Sequence, residues 1–181
     1  MSPQLSAQAR FLSLAEATPA PPPLPAAQTQ APPAVGSPAP AAPVARPGVM
    51  QVLTNAAHDQ GVDPNLLMAV SFWESGWHQD RVSSEGAVGL LQVMPKTAAT
   101  AGPQLLGRPV DINDPSDNAE VGAALLKDLL NKYDHRTALA AYYQGEPALL
   151  SGTYAPDTWH YADSILSLSD QIAAGRGPAA P

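Results

Sequence analysis

The residue with the clearest chemical potential is Glu74. In a helix that opens at Asp63-Pro64, the stripe of Leu66 and Val70 continues at the next i+4 position to a carboxylate instead of an apolar side chain. Phe72, Trp73 and Trp77 are its neighbours in sequence. An acid held at the end of an apolar face among aromatics loses hydration, and that raises its pKa by disfavouring the charged form. A carboxyl group still protonated near neutral pH is what a general acid for glycosidic cleavage requires. The same spacing also fits a helix-end glutamate turned to water just before Gly76.

The stretch Gly86-Ala87-Val88-Gly89-Leu90-Leu91-Gln92-Val93-Met94-Pro95 is a glycine-punctuated loop running into an apolar segment with one embedded amide. Glycines let a backbone approach a ligand closely. Gln92 among Leu, Val and Met is either a satisfied core amide or a hydrogen-bonder to substrate. Other chemistries find little footing. With no cysteine there is no thiol nucleophile, disulfide framework or Cys-ligated zinc. His58, His78, His135 and His160 are scattered without an H-E-x-x-H spacing, so neither a metal nor any other cofactor is expected. Asp111 to Asp117 resembles a calcium loop but lacks the glycine and glutamate such a loop needs, and reads as a loop and helix start. No Ser-His-Asp order or phosphate loop is visible.

The elements that must position these residues fall in one part of the chain. Of 21 prolines in 181 residues, 12 lie in residues 1–48. Residues 18–47 are mostly proline and alanine with little charge, a composition that reads as a semi-rigid tether. A short helix is expected near residues 5–16, and residues 175–181 read as a disordered tail. Residues 49–174 read as helices only, with no alternating period-2 run, so the expectation is an all-α domain. Helices are expected over 49–59, from Pro64, from Asp117 with Glu120 as a capping-box pair, from Thr137 and from Thr158. Val121, Ala124, Leu125 and Leu129 form the expected apolar face of the third, and six prolines from Pro95 to Pro156 are read as loop punctuation. From Val49 onward there are 7 basic and 15 acidic residues, net −8, which argues against nucleic-acid binding. No run of 18 apolar residues spans a membrane, and no signal peptide is recognisable.

Taken together, Glu74-Ser75-Gly76, then Ser83 nine residues on, then Gly86 to Pro95, resemble the soluble lytic transglycosylase family, whose catalytic domain is goose-lysozyme-like. The family's blocks read E-S-G, G-L-M-Q and A-x-A-Y-N-A-G. The last is matched by Ala138-Leu139-Ala140-Ala141-Tyr142-Tyr143-Gln144-Gly145. Asp114-Pro115, Asn118 and Gly122 resemble its D-P-x-x-N helix start, and Pro156 to Tyr161 its P-x-T-x-x-Y segment. The resemblance runs in order through residues 50–170. Two positions depart from it: Tyr143 stands where Asn is most frequent, and Leu91 where Met is usual.

The resemblance implies cleavage of the β-1,4 bond between N-acetylmuramic acid and N-acetylglucosamine in peptidoglycan, without water. Glu74 would act as both acid and base and leave a 1,6-anhydro end. Ser83, Gly89, Gln92, Met94, Tyr142, Tyr143 and Tyr161 would contact the sugar. The three tyrosines also fit ordinary amphipathic core positions. The block holds no second carboxylate nearby except Glu85, whereas hydrolases usually use two. A lysozyme-type hydrolase on the same domain is the alternative enzyme. A docking or assembly component of a secretion, flagellar or phage virion machine is the alternative class. The expected partners are peptidoglycan strands and a protein reached through the N-terminal segment. The expected location is the periplasm or cell wall, or alternatively a virion or a secretion route.

Overall fold

The computed structural model describes residues 47–178. The expected tether up to residue 46 and the helix near residues 5–16 lie outside the described residues, as do residues 179–181 of the expected tail, whereas Pro47 and Gly48 already belong to the first helix. The described chain folds into seven α-helices: α1 (Pro47–Gln60), α2 (Pro64–Ser75), α3 (Pro95–Ala101), α4 (Pro115–Leu130), α5 (His135–Gln144), α6 (Glu146–Ser151) and α7 (Thr158–Ala173). A π-helical turn, Gly102–Leu106, extends α3. The all-α expectation holds. Among the described residues, strand-like pairing falls in 82–93, where isolated antiparallel bridges join Val82 to Val88 and Val88 to Val93.

Local sequence sets the helix ends. Asp63 Oδ1 accepts from Asn65 N at 2.8 Å, Pro64 occupies the first turn, and Gly76 closes α2 in the left-handed region with its N–H on Phe72 O. Three expectations shift. α4 is capped by Asp114, which accepts from Ser116 N and Asp117 N, and not by an Asp117–Glu120 box. Asp117 instead accepts from Asp111 N and pairs with Arg108. α5 starts at His135 because Asp134 caps it, accepting from both Thr137 N and Thr137 Oγ1. Pro95, Pro115 and Pro147 do not sit in loops; they open helices, where the missing N–H costs nothing.

α1 packs on α4 and α2, α2 on α7, and α5 on α4 and α7. The core draws Leu53, Leu66, Leu67, Val70, Leu90, Leu91, Val121, Leu126, Leu139 and Ile165 from these helices and the 82–93 segment. In α4 the buried set is Asn118, Ala119, Val121, Gly122, Ala123, Ala124 and Leu126, with Leu125 and Leu129 only half-buried. The helix is enclosed by several neighbours, so its apolar surface is wider than one stripe.

Gly122 matters for that enclosure. A Cβ there would lie 2.7 Å from Leu91 Cβ and closer still to Leu91 Cδ1. Gly122→Ala should therefore cost about 1–3 kcal/mol. In urea unfolding, its cost combined with Leu91→Ala should fall short of the sum of the two single changes. Strict additivity would mean that the two residues do not meet.

Candidate active site

Glu74 sits in the last turn of α2, half-buried, with its carboxyl enclosed by aromatic side chains. Tyr161, on α7 and 3% exposed, donates its hydroxyl to Glu74 Oε1 at 2.5 Å. The Tyr161 ring is fixed on two sides. Tyr143 from α5 stacks on it at 4.4 Å and 16°, and Trp73 from α2 meets it edge-on at 6.3 Å. Burial raises the Glu74 pKa to about 7, against the opposing pull of the Tyr161 hydrogen bond and of the Arg81 charge. Both opposing influences favour the carboxylate, so the site tolerates either protonation state close to neutrality. Burial and the Glu74 charge together push the phenols of Tyr142 and Tyr161 well above their ordinary value. Tyr143 is pushed up to about 12, by burial first and then by Asp157.

The segment after Glu74 is fastened by side chains at nearly every backbone group of its central turn. Leu90 O accepts from Ser71 Oγ and Ser75 Oγ, both buried in α2, each at 3.0 Å. Leu90 N donates to Gln79 Oε1, and Gln79 Nε2 donates in turn to Ile112 O and Asn113 O. Asn118 of α4, fully buried, accepts from Leu91 N at 3.0 Å and donates to Val88 O and Ile112 O at 2.8 and 3.0 Å. Tyr142 donates its hydroxyl to Leu91 O at 2.9 Å. A turn without regular secondary structure must find partners for its buried polar groups elsewhere, and here three helices and Gln79 from the segment after α2 supply them.

The residues singled out in the sequence fall into two groups. Glu74, Tyr161 and Tyr143 form one contact chain, with Tyr142 beside it and tied to Leu91. Ser83, Gly89, Gln92 and Met94 lie on or beside the fastened turn. Ser83 Oγ accepts from Ala87 N, closing a tight loop in which Ser83 N also donates to Ala87 O and Gly86 N to Ser83 O. Gly89 is buried at φ +79 with its N–H on Arg81 O, and a Cβ there would lie 2.5–2.6 Å from the amides of Asn118 and Gln79. Gln92 holds φ 45, unusual for a residue with a side chain, and its Nε2 donates to Arg81 O and Gly89 O. The reverse amide orientation would set oxygen against two carbonyls, so the side-chain carbonyl is the group left over for an outside donor. Met94, half-buried, precedes the first turn of α3.

Trp77 plays a different part from the one its place in the sequence suggested. It takes φ 66, packs against Phe72 and donates its indole N–H to Met68 O, locking the end of α2. The sequence reading passed over Ser71 and Gln79. Ser71 carried a usable signal, as a hydroxyl one turn before Glu74 on a helix otherwise apolar there. Gln79 carried none, because its partners lie 11 to 34 residues away. Among the described residues, no group of three or more His, Asp or Glu side chains could hold a metal ion.

Residues 51–155 match the model of the transglycosylase SLT domain. The chain is similar to a transglycosylase of Enterobacteria phage PRD1, 38% identical over 68% of this chain and 43% of that protein. It is also similar to the endo-type membrane-bound lytic murein transglycosylase A of Klebsiella pneumoniae, 31% identical over 66% of this chain and 65% of that one. It therefore spans less than two thirds of either relative's length. In fold it resembles an inactive mutant of the lytic transglycosylase Slt from Pseudomonas aeruginosa, with a TM-score of 0.60 at 22% identity over 71% of this chain and 24% of that one. That likeness gives the lysozyme-like helical fold expected from the sequence. With the domain match covering more than half of the chain, from α1 to just beyond α6, the chain belongs to the transglycosylase SLT domain family.

Proposed function

We propose that this chain is a lytic transglycosylase that cleaves murein between N-acetylmuramic acid and N-acetylglucosamine without adding water. The observation that carries the reading is the Glu74 carboxyl, desolvated until it titrates near 7 and gripped by Tyr161 at 2.5 Å. Protonated Glu74 gives its proton to the glycosidic oxygen as the bond from C1 breaks. The resulting carboxylate then takes the proton of the muramyl C6 hydroxyl while that oxygen bonds to C1. One residue thus returns to its starting state, and the new end is a 1,6-anhydro sugar. The substrate's own acetamido group stabilises the charge at C1. The Tyr161 hydroxyl and Arg81 favour the carboxylate at the midpoint of this cycle. Ser83, Gln92 and Met94, together with Tyr142 and Tyr161, line the sugar's path, Tyr143 backs Tyr161 from behind, and Gly89 gives the turn beneath them its close packing. The helical domain that begins with α1 at Pro47 is the catalytic domain, and the residues before it serve as the tether.

The masses of products from purified murein test this. Ends lighter by one water than hydrolysis products are expected; fully hydrated ends would make the domain a lysozyme-type hydrolase. The pH profile offers a second test. The donor must carry its proton, so kcat/KM should fall as pH rises through about 7, where Glu74 ionises. A rate that climbs through this range would contradict the role of Glu74 as the acid.

The phage relative favours one further reading, that the enzyme opens the wall locally as part of a virion or secretion machine. Activity confined to assembled particles would support it, and activity in the periplasm of cells without such particles would count against it.

A further inference from the structure

The start of α7 neglects its own helix. Asp157 occupies the N-cap position, where an aspartate ordinarily accepts from N–H groups of the first turn, yet it makes no side-chain capping bond. Its backbone lies in the helical region, φ −89 and ψ −3, which turns the side chain away from those donors. Next to it, Thr158 Oγ1 is buried with no hydrogen-bond partner. The Asp157 carboxylate instead accepts the hydroxyl of Tyr143 at 3.2 Å. Tyr143 is the residue that departs from the family's usual Asn. Its ring lies flat on Tyr161, whose hydroxyl holds Glu74. A tyrosine tied at its hydroxyl and stacked on its face is committed to its neighbours rather than to a ligand.

We propose that Asp157, acting through Tyr143, is a positioning residue that fixes the Tyr161 ring and so the hydrogen bond on Glu74. The proposal rests on the reading of Glu74 as the proton donor. The charged and titratable groups facing Glu74 are Arg81 from the segment after α2, Tyr142 and Tyr143 from α5, and Tyr161 from α7. Of these, the Tyr161 hydroxyl makes the direct bond, and it stabilises the charged form. Loosening Tyr161 therefore raises the pH at which Glu74 ionises.

The test uses the full chain with the Glu74 carboxyl carbon observed by NMR titration, together with the pH profile of murein cleavage. Tyr143→Phe keeps the stack and drops the tether. Asp157→Ala drops the acceptor, and Asp157→Asn keeps an acceptor oxygen. The first two should raise the Glu74 midpoint by about half a pH unit. They should also lower kcat about fivefold and leave KM near the parent value. Asp157→Asn should restore both. An unmoved midpoint in Tyr143→Phe and Asp157→Ala would overturn the proposal, and a raised KM with that result would make Tyr143 a substrate contact like the Asn it replaces. If either variant loses its cooperative thermal transition, the other carries the comparison. If the wild-type chain releases no murein products, the catalytic reading fails on its own, while the NMR midpoints still decide the positioning claim.

Discussion

Glu74→Gln is expected to lower murein cleavage by about 1,000-fold or more, because an amide can neither donate the proton to the leaving oxygen nor recover it from the C6 hydroxyl. The same change is expected to stabilise the fold at alkaline pH. Burial raises the Glu74 pKa from 4.5 to about 7, so the folded state binds the proton more tightly than the unfolded chain does. Stability tied to this group is therefore greatest below pH 4.5 and is lost progressively as pH rises to about 7. Above that pH the buried carboxylate costs the fold roughly 2–3 kcal/mol, and glutamine of the same shape removes the charge. Thermal unfolding at pH 8 should show the variant with the higher midpoint, and at pH 4 the two proteins should converge. Lost activity accompanied by lower stability at both pH values would point instead to a structural role for the residue.

Asn118→Ala should produce the second largest effect, this time on the fold. The side chain lies fully buried and uses both ends of its amide, joining Leu91 N, Val88 O and Ile112 O. Alanine leaves the buried Leu91 N–H without its acceptor, takes one of two donors from Val88 O and from Ile112 O, and opens a small cavity, at a cost of about 2–4 kcal/mol. Domain stabilities are about 5–15 kcal/mol, so a large share would be lost. The fastened turn sits beside Glu74, and activity should fall with stability as the turn loses its register. Urea unfolding combined with cleavage assays checks both. A loss below about 1 kcal/mol would show that the turn holds without this clamp.

Much of this site was legible because the decisive residues break a local pattern. Glu74 interrupts an apolar stripe. Gly89 and Gln92 interrupt an apolar segment, and Tyr143 interrupts a family block. The helices were legible through spacing and Asp-Pro starts. What stayed hidden was which of several nearby aspartates caps a helix, as with Asp114 against Asp117, since both lie at suitable offsets and Arg108 together with the Asp111 N–H decides where Asp117 turns. The fastening of residues 88–91 was also hidden. Ser71, Gln79, Asn118 and Tyr142 reach it across separations of up to 51 residues, and sequence offsets carry no trace of such bonds. The tie between Tyr143 and Asp157 belongs to the same kind, because an aspartate before a helix ordinarily reads as its cap.

The central claim is that a single residue moves one proton back and forth and that water takes no part. Digesting purified murein in heavy-oxygen water and weighing the products tests this directly. The expected result is anhydro-ended fragments with no heavy oxygen at the newly formed ends, and no such fragments with Glu74→Gln. Heavy oxygen at the new reducing ends of wild-type products would contradict it.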